Sequence, residues 1–169
     1  MKQMKLNMKK RNPYAYEVRC IVIRETGAEQ KKTRTPEDIY NAWMNSVEHA
    51  DWFCPDKECM VVFFLTTQNI LRGFELVTMG LLDTCLVHPR EIFRSAITAG
   101  ASAIAIAHNH PSGDPTPSAE DVRITRQLIE AGKIIDIEVV DHIIVGAHYD
   151  DRPKFTAWTS LRESGLCSF

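Results

Sequence analysis

Apolar positions along the chain fall into strand-length runs and helical stripes divided by turn residues. Tyr16 to Arg24 is rich in β-branched residues and predicts a strand, followed by a turn over Gly27 to Lys32. Thr35-Pro36-Glu37-Asp38 has the pattern of a helix start, with Thr35 as N-cap and Pro36 in the first helical position. Ile39, Ala42, Trp43 and Val47 then recur at helical spacing, and Asp51 to Asp56 reads as a loop. Cys59 to Thr66 is a nearly unbroken apolar run, as a central strand covered on both faces requires. A short turn over Thr67 to Asn69 leads into a partner strand, Leu71 to Met79, most simply antiparallel to it. Pro89 opens a helix with Ile92, Phe93, Ala96 and Ile97 inward, and Gly100 closes it. Ala103 to Ala107 is another buried strand. His108 to Pro117 is a loop dense in Pro, Gly, Ser and Asp, and Ser118 to Ala131 is a helix ended by Gly132. Ile134 to Val140 and Ile143 to Gly146 predict two further strands.

Helices alternate irregularly with strands, so the expected class is α/β, one mixed sheet flanked by helices. The 169 residues are 44% hydrophobic and 25% charged, ordinary for a globular protein and unlike a disordered chain. Residues 1–12 are polar and basic and are expected to be a mobile N-terminus, with 13–169 forming one domain. No apolar run approaches the ~20 residues of a membrane helix, and no apolar stretch follows the basic start as in a secretory leader. The expectation is a cytoplasmic protein with no membrane partner.

Charge adds a second feature. Residues 1–34 hold ten Lys/Arg against three Asp/Glu, although the whole chain has a net charge of −2. Such an arm is either a solvated terminus or a weak, non-specific contact to DNA. Five cysteines, an odd number without export signals, argue against a disulfide framework and read mostly as small buried hydrophobes. Cys54 and Cys59, five apart with no second pair, do not make a zinc knuckle.

The chemistry concentrates between His108 and Asp121. His108 and His110 leave a buried strand two residues apart and therefore face one side. Asp121, in the first turn of the following helix, can complete a set of two histidines and an aspartate. Three protein ligands with one position open for water is the pattern of a catalytic zinc. The same residues also allow a plainer reading. Ser118-Ala119-Glu120-Asp121 resembles a capping box, and the histidines can be satisfied by backbone carbonyls.

The full string decides between these readings. His-x-His-Pro, six residues, Ser, two residues, Asp is the JAMM (MPN+) pattern, and His108 to Asp121 matches it throughout. The wording resembles the RadC-like branch in Val87 to Glu91, in Ala107 to Ser118 and in Asp141 to Gly146, with the likeness running from about Thr35 to Phe155. The resemblance implies a JAB/MPN-type fold, cytidine-deaminase-like, with a mixed β-sheet between helices. It implies Zn2+ as cofactor, held by His108, His110 and Asp121, with Ser118 donating a hydrogen bond to a developing oxyanion. Full-length RadC-like proteins usually carry an N-terminal helix-hairpin-helix-like segment. The first 34 residues here read differently, and nothing of that segment is carried over.

The family's general base is a glutamate on an earlier strand, and Glu58, Glu75 and Glu91 are the candidates. Glu75 is preferred because it is a carboxylate inside an apolar strand, which calls for a partner or a task. Its surroundings keep Glu and Gly of the family pattern Glu-x-Leu-Phe-x-Gly-Thr, as Glu75 and Gly80, but not the Phe and Thr. His142 is expected either to order the metal site or to pair with Asp141. His88 reads as a polar residue near an N-cap, and Trp43, Trp52 and Trp158 as packing residues. His49 and His148 carry no signal.

The expected activity is zinc-dependent hydrolysis of an amide bond, in a peptide, an isopeptide or another amide, as a metallopeptidase would perform it. The alternative is a DNA repair-associated, DNA-binding module whose metal site is not catalytic. Nucleoside deamination is excluded, because its His-x-Glu and Pro-Cys-x-x-Cys elements are absent from the sequence.

Overall fold

The computed structural model describes residues 32–80, 87–146 and 158–169. The strand expected over Tyr16 to Arg24, the basic residues 1–12, Cys20, Cys85 and His148 lie outside them.

Helix α1, Pro36–Ala42, begins as its sequence dictates. Thr35 Oγ1 accepts from the Asp38 N–H, while the Asp38 carboxylate accepts from the backbone N–H of Thr35. This reciprocal box satisfies two of the donors that a helix start leaves orphaned. The helix runs on into a wider turn over Trp43–Val47, and Ile39, Trp43 and Val47 are buried along one side.

Strand β1, Glu58–Leu65, forms a hairpin with β2, Leu71–Gly80, and pairs on its other side with β3, Ala103–Asn109, both antiparallel. β3 pairs in parallel with β4, Glu138–Val145, which pairs antiparallel with the short β5, Trp158–Ser160. The sheet order is β2-β1-β3-β4-β5, so β1 and β3 are interior strands. That position explains their composition. Met60, Val62, Phe64, Ile104 and Ile106 pack under helices α2, Pro89–Ala99, and α3, Ala119–Ile135. The alternate residues Val61, Phe63, Leu65, Ala105 and Ala107 pack under α1 and its extension. A strand with two covered faces has no polar side to show, which is why the run appears continuous rather than alternating.

The structure revises three details of the pattern reading. Ile97, expected inward, is 61% exposed; Ile92, Phe93 and Ala96 form the buried stripe of α2. Gly132 does not end α3, which continues to Ile135 and stops at Asp136 in a left-handed conformation. A Cβ on Gly132 would sit 2.5 Å from the Ile137 carbonyl oxygen and 3.3 Å from Val139 Cγ2. The glycine is therefore there to let the reversing chain cross the helix closely. As a result the two strands expected after it become one, β4. Gly132→Ala is expected to lower unfolding free energy by about 1–3 kcal/mol through this overlap, measurable by urea denaturation.

Among the described residues, no helix is long and apolar enough to cross a membrane.

Candidate metal centre

β3 carries His108 to the C-terminal end of the sheet, and the chain turns there. His110 is fixed at both ends of its residue. Its backbone N–H donates to the Val145 carbonyl at 2.9 Å, and its Nδ1 lies 2.7 Å from the Asp114 carbonyl oxygen. The loop back to α3 packs tightly against the end of β4: a Cβ on Gly146 would stand 2.6 Å from the Gly113 carbonyl oxygen. Gly113 itself has φ +81°, a conformation glycine adopts at little cost.

α3 then starts with a second reciprocal capping box. Ser118 Oγ accepts from the Asp121 N–H at 3.1 Å, and Asp121 Oδ2 accepts from the Ser118 N–H at 2.7 Å. The Ser118 hydroxyl also lies 2.6 Å from Asp121 Oδ2 and donates to it. These bonds hold Oδ2, which stands 3.6 Å from His110 Nε2, and leave Oδ1 turned toward His108. The capping reading and the ligand reading of Ser118 to Asp121 therefore describe one geometry.

His108, His110 and Asp121 come together here, with ligand atoms within 4.8 Å of one another. His108 Nε2 lies 3.0 Å from His110 Nε2 and 3.2 Å from Asp121 Oδ1. The donor set reveals what fits between them. His110 Nδ1 faces a carbonyl oxygen, which can only accept, so that nitrogen carries the proton and Nε2 is left with a lone pair. Lone pairs and a carboxylate facing one another at these distances repel unless a positive charge lies among them. Two imidazoles and a carboxylate, one of the histidines and the aspartate fully or almost fully buried, suit a divalent metal of the zinc type. Among the described residues, this is the one His/Cys/Asp/Glu group arranged to hold a metal, and Cys54 and Cys59 do not form another.

The electrostatics show a pocket that favours positive charge beside Asp121. Burial raises the Asp121 pKa, but the His108 and His110 imidazoles and the Ser118 hydroxyl outweigh it and hold the carboxyl well below the usual range. Burial lowers the His110 pKa, yet Asp121, the Asp114 carbonyl and the Glu58 charge together raise it above the usual value. His142 is buried completely, which pushes its pKa well below that of a free imidazole and keeps it neutral.

A RadC-like JAB domain model matches residues 33–166. The chain belongs to this RadC-like family. It is 42% identical over 144 residues to a UPF0758 protein of Caldanaerobacter subterraneus, covering 85% of this chain and 56% of that protein. A UPF0758 protein of Alkaliphilus oremlandii is 46% identical over 115 residues, covering 68% of this chain and 47% of its own length. One from Bacillus cereus is 39% identical over 151 residues, 89% of this chain and 61% of its own length. The chain thus spans about half the length of the curated relatives it matches. The mixed sheet between helices is the JAB/MPN-type architecture expected from the sequence, and the His-His-Asp group lies at the JAMM string of this RadC-like domain.

The three candidate glutamates of the RadC-like domain fall in different places. Glu75 is exposed on β2, at the edge of the sheet, opposite Val62 of β1, which in turn is opposite Ile106 of β3. With strands about 4.8 Å apart, its Cα stands about 10 Å from that of Ile106, and farther from that of His108. Arg72, three residues before it, donates to the Ala99 and Gly100 carbonyls and caps α2. Glu91 is paired with Arg90 and Arg94 on the α2 surface. Glu58 begins β1. Met60 is opposite His108, so the start of β1 lies beside the metal loop, and the Glu58 charge acts on His110.

Asn109, between the two histidines, ties that end of β1 to the metal loop. Its Oδ1 accepts from the Cys59 N–H at 2.9 Å and its Nδ2 donates to the Lys57 carbonyl at 2.9 Å, bracketing Glu58. Sequence reasoning passed over Asn109. The strand period offered the signal, since it points opposite to His108 and His110, away from the ligand face and toward the neighbouring strand's start. His88 sits at the N-cap of α2, exposed and without a side-chain cap bond. His142 does not pair with Asp141 through its ring. The Asp141 carboxylate accepts from the His142 and Arg162 backbone N–H groups and from the Ser160 hydroxyl.

Proposed function

We propose that this RadC-like domain binds a zinc ion through His108, His110 and Asp121 and hydrolyses an amide bond. The observation that carries the reading is the convergence of the two imidazole Nε2 atoms and the Asp121 carboxylate, with the Nδ1 of each ring already committed elsewhere. Bound there, zinc would polarise water so that hydroxide is available near pH 7. The protein's residues then have distinct tasks. Glu58, rather than Glu75, takes the water's proton and returns it to the leaving nitrogen, because a base must reach its proton directly or through one water. The start of β1 beside the metal loop and the clamp from Asn109 support this choice. Ser118, at the N-terminus of α3, would swing its hydroxyl from Asp121 to the oxygen that gains charge in the transition state. A peptide, an isopeptide or another amide suits this chemistry equally.

A second reading is a metal-holding RadC-like module without catalysis, associated with DNA. The Ser118 hydroxyl directed into Asp121, rather than toward an open position, favours the absence of catalysis. Salt-dependent binding separates the two. We expect at most weak DNA binding, falling steeply with salt and lost on deleting residues 1–12. Tight, sequence-selective binding at physiological salt, with no hydrolysis of a mixed peptide and isopeptide pool by zinc-loaded protein, would replace the hydrolase reading by the module.

A further inference from the structure

We propose that Thr125 and His142 are positioning residues that fix the tautomer of His108, so that its Nε2 presents a lone pair to the metal position. The two residues lie behind the centre, on α3 and β4. His108 Nδ1 is 2.8 Å from His142 Nε2, His142 Nδ1 is 2.6 Å from Thr125 Oγ1, and Thr125 Oγ1 is 2.6 Å from the Asp121 carbonyl oxygen. Thr125, His108 and His142 are fully buried, so no solvent competes for these bonds.

The direction of every proton follows from the last acceptor. A carbonyl oxygen has no proton to give, so the single hydroxyl proton of Thr125 goes to Asp121. Thr125 Oγ1 then offers only lone pairs to His142, and His142 Nδ1 must carry a proton. The His142 ring is fully buried against His108 and Thr125, with no carboxylate oxygen among its hydrogen-bond partners, a setting that favours the uncharged ring. Its Nε2 is therefore bare and accepts. His108 Nδ1 must donate to it, which leaves His108 Nε2 unprotonated and facing His110 and Asp121.

Asp121 thus serves the centre twice: its carboxylate faces the metal position, and its carbonyl sets the chain that orients a second ligand. The helix makes this possible, since residues four apart lie on one face and Thr125 back-bonds to Asp121. His110 needs no such chain, because a carbonyl already accepts from its Nδ1. Partners of this kind behind a ligating histidine change metal affinity by about 10–100-fold when removed.

The inference rests on the metal reading only for its consequence; the tautomer itself is observable without metal. Long-range proton–nitrogen NMR of the 15N-labelled, metal-free full chain at about pH 9, where free imidazoles are neutral, is expected to report His108 protonated at Nδ1. Thr125→Val keeps the branched shape and removes the hydroxyl. It is expected to shift His108 toward the Nε2-protonated form and to weaken zinc binding about 10-fold or more in chelator competition. Thr125→Ser keeps the hydroxyl and is expected to stay near wild type in both. A packing role predicts the opposite order, because valine preserves the buried volume and serine loses a methyl group. Finding His108 protonated at Nε2 in the wild type, or Thr125→Val with unchanged tautomer and affinity, overturns the proposal. If the wild type takes up no zinc but shows the Nδ1 proton and its loss in Thr125→Val, the positioning role stands and the metal reading fails. Should Thr125→Val not fold, the wild-type spectrum still decides.

Discussion

Purified protein is expected to hold about one zinc per chain, and His108→Ala or Asp121→Ala to empty the site. The effect is expected to be large because the candidate site offers three protein ligands among the described residues, so losing one leaves two. Each substitution also exposes the others. Asp121→Ala removes the negative charge opposite two imidazoles, together with the acceptor for the Ser118 N–H and hydroxyl. It should therefore reduce stability as well, by about 1 kcal/mol for the lost cap interaction. Asp121→Asn separates these effects: it retains a polar acceptor at the cap while removing the carboxylate charge from the ligand set. Elemental analysis after dialysis, alongside thermal unfolding, measures both. Wild-type protein that refuses added zinc at neutral pH, or that binds it elsewhere, would sink the metal centre.

Glu58→Gln is expected to leave zinc content and folding near wild type and to reduce amide hydrolysis by roughly 10²-fold or more. Glutamine keeps the length of the side chain and cannot take a proton from water. Glu75→Gln is expected to leave hydrolysis almost unchanged, because Glu75 is exposed on the edge strand and faces the Val62–Ile106 row of the sheet. The reverse pattern, with Glu75→Gln inactive and Glu58→Gln active, would return the base to β2. Two active, zinc-loaded variants would mean that neither carboxylate is the base.

The difference between these glutamates illustrates where sequence reasoning stops. Both stand on strands of one hairpin, and Glu75 has the more unusual setting in the sequence, among apolar neighbours. What separates them is strand register. Met60 opposite His108 brings the start of β1 to the metal loop, whereas β2 is kept one strand away. Register arises from the fit of whole strands and is not written in the residues beside either glutamate.

Features that depend on a few adjacent residues were legible in the sequence. Thr35 and Ser118 cap their helices as expected, since a cap needs only a side chain and an N–H three residues away. The strand period put His108 and His110 on one face, and the motif spacing brought Asp121 to them. The apolar run of β1 announced a strand covered on two sides. The end of α3 was not legible. Gly132 looked like a stop because glycine is a weak helix former, but its missing side chain is used to admit the Ile137 carbonyl, a contact made only once the chain has turned back. The link from Thr125 to His142 is of the same kind. The sequence offered His142 as a residue that orders the metal site or pairs with Asp141, but seventeen residues separate it from Thr125, and nothing local shows that link. By itself the sequence determined the helix starts, the central strands and the three candidate ligands, because short-range hydrogen bonds and periodicity act within a few residues. Only the tertiary structure decided which glutamate stands beside the histidines and how His108 is oriented, because those depend on strand register and on buried donors meeting acceptors from distant parts of the chain.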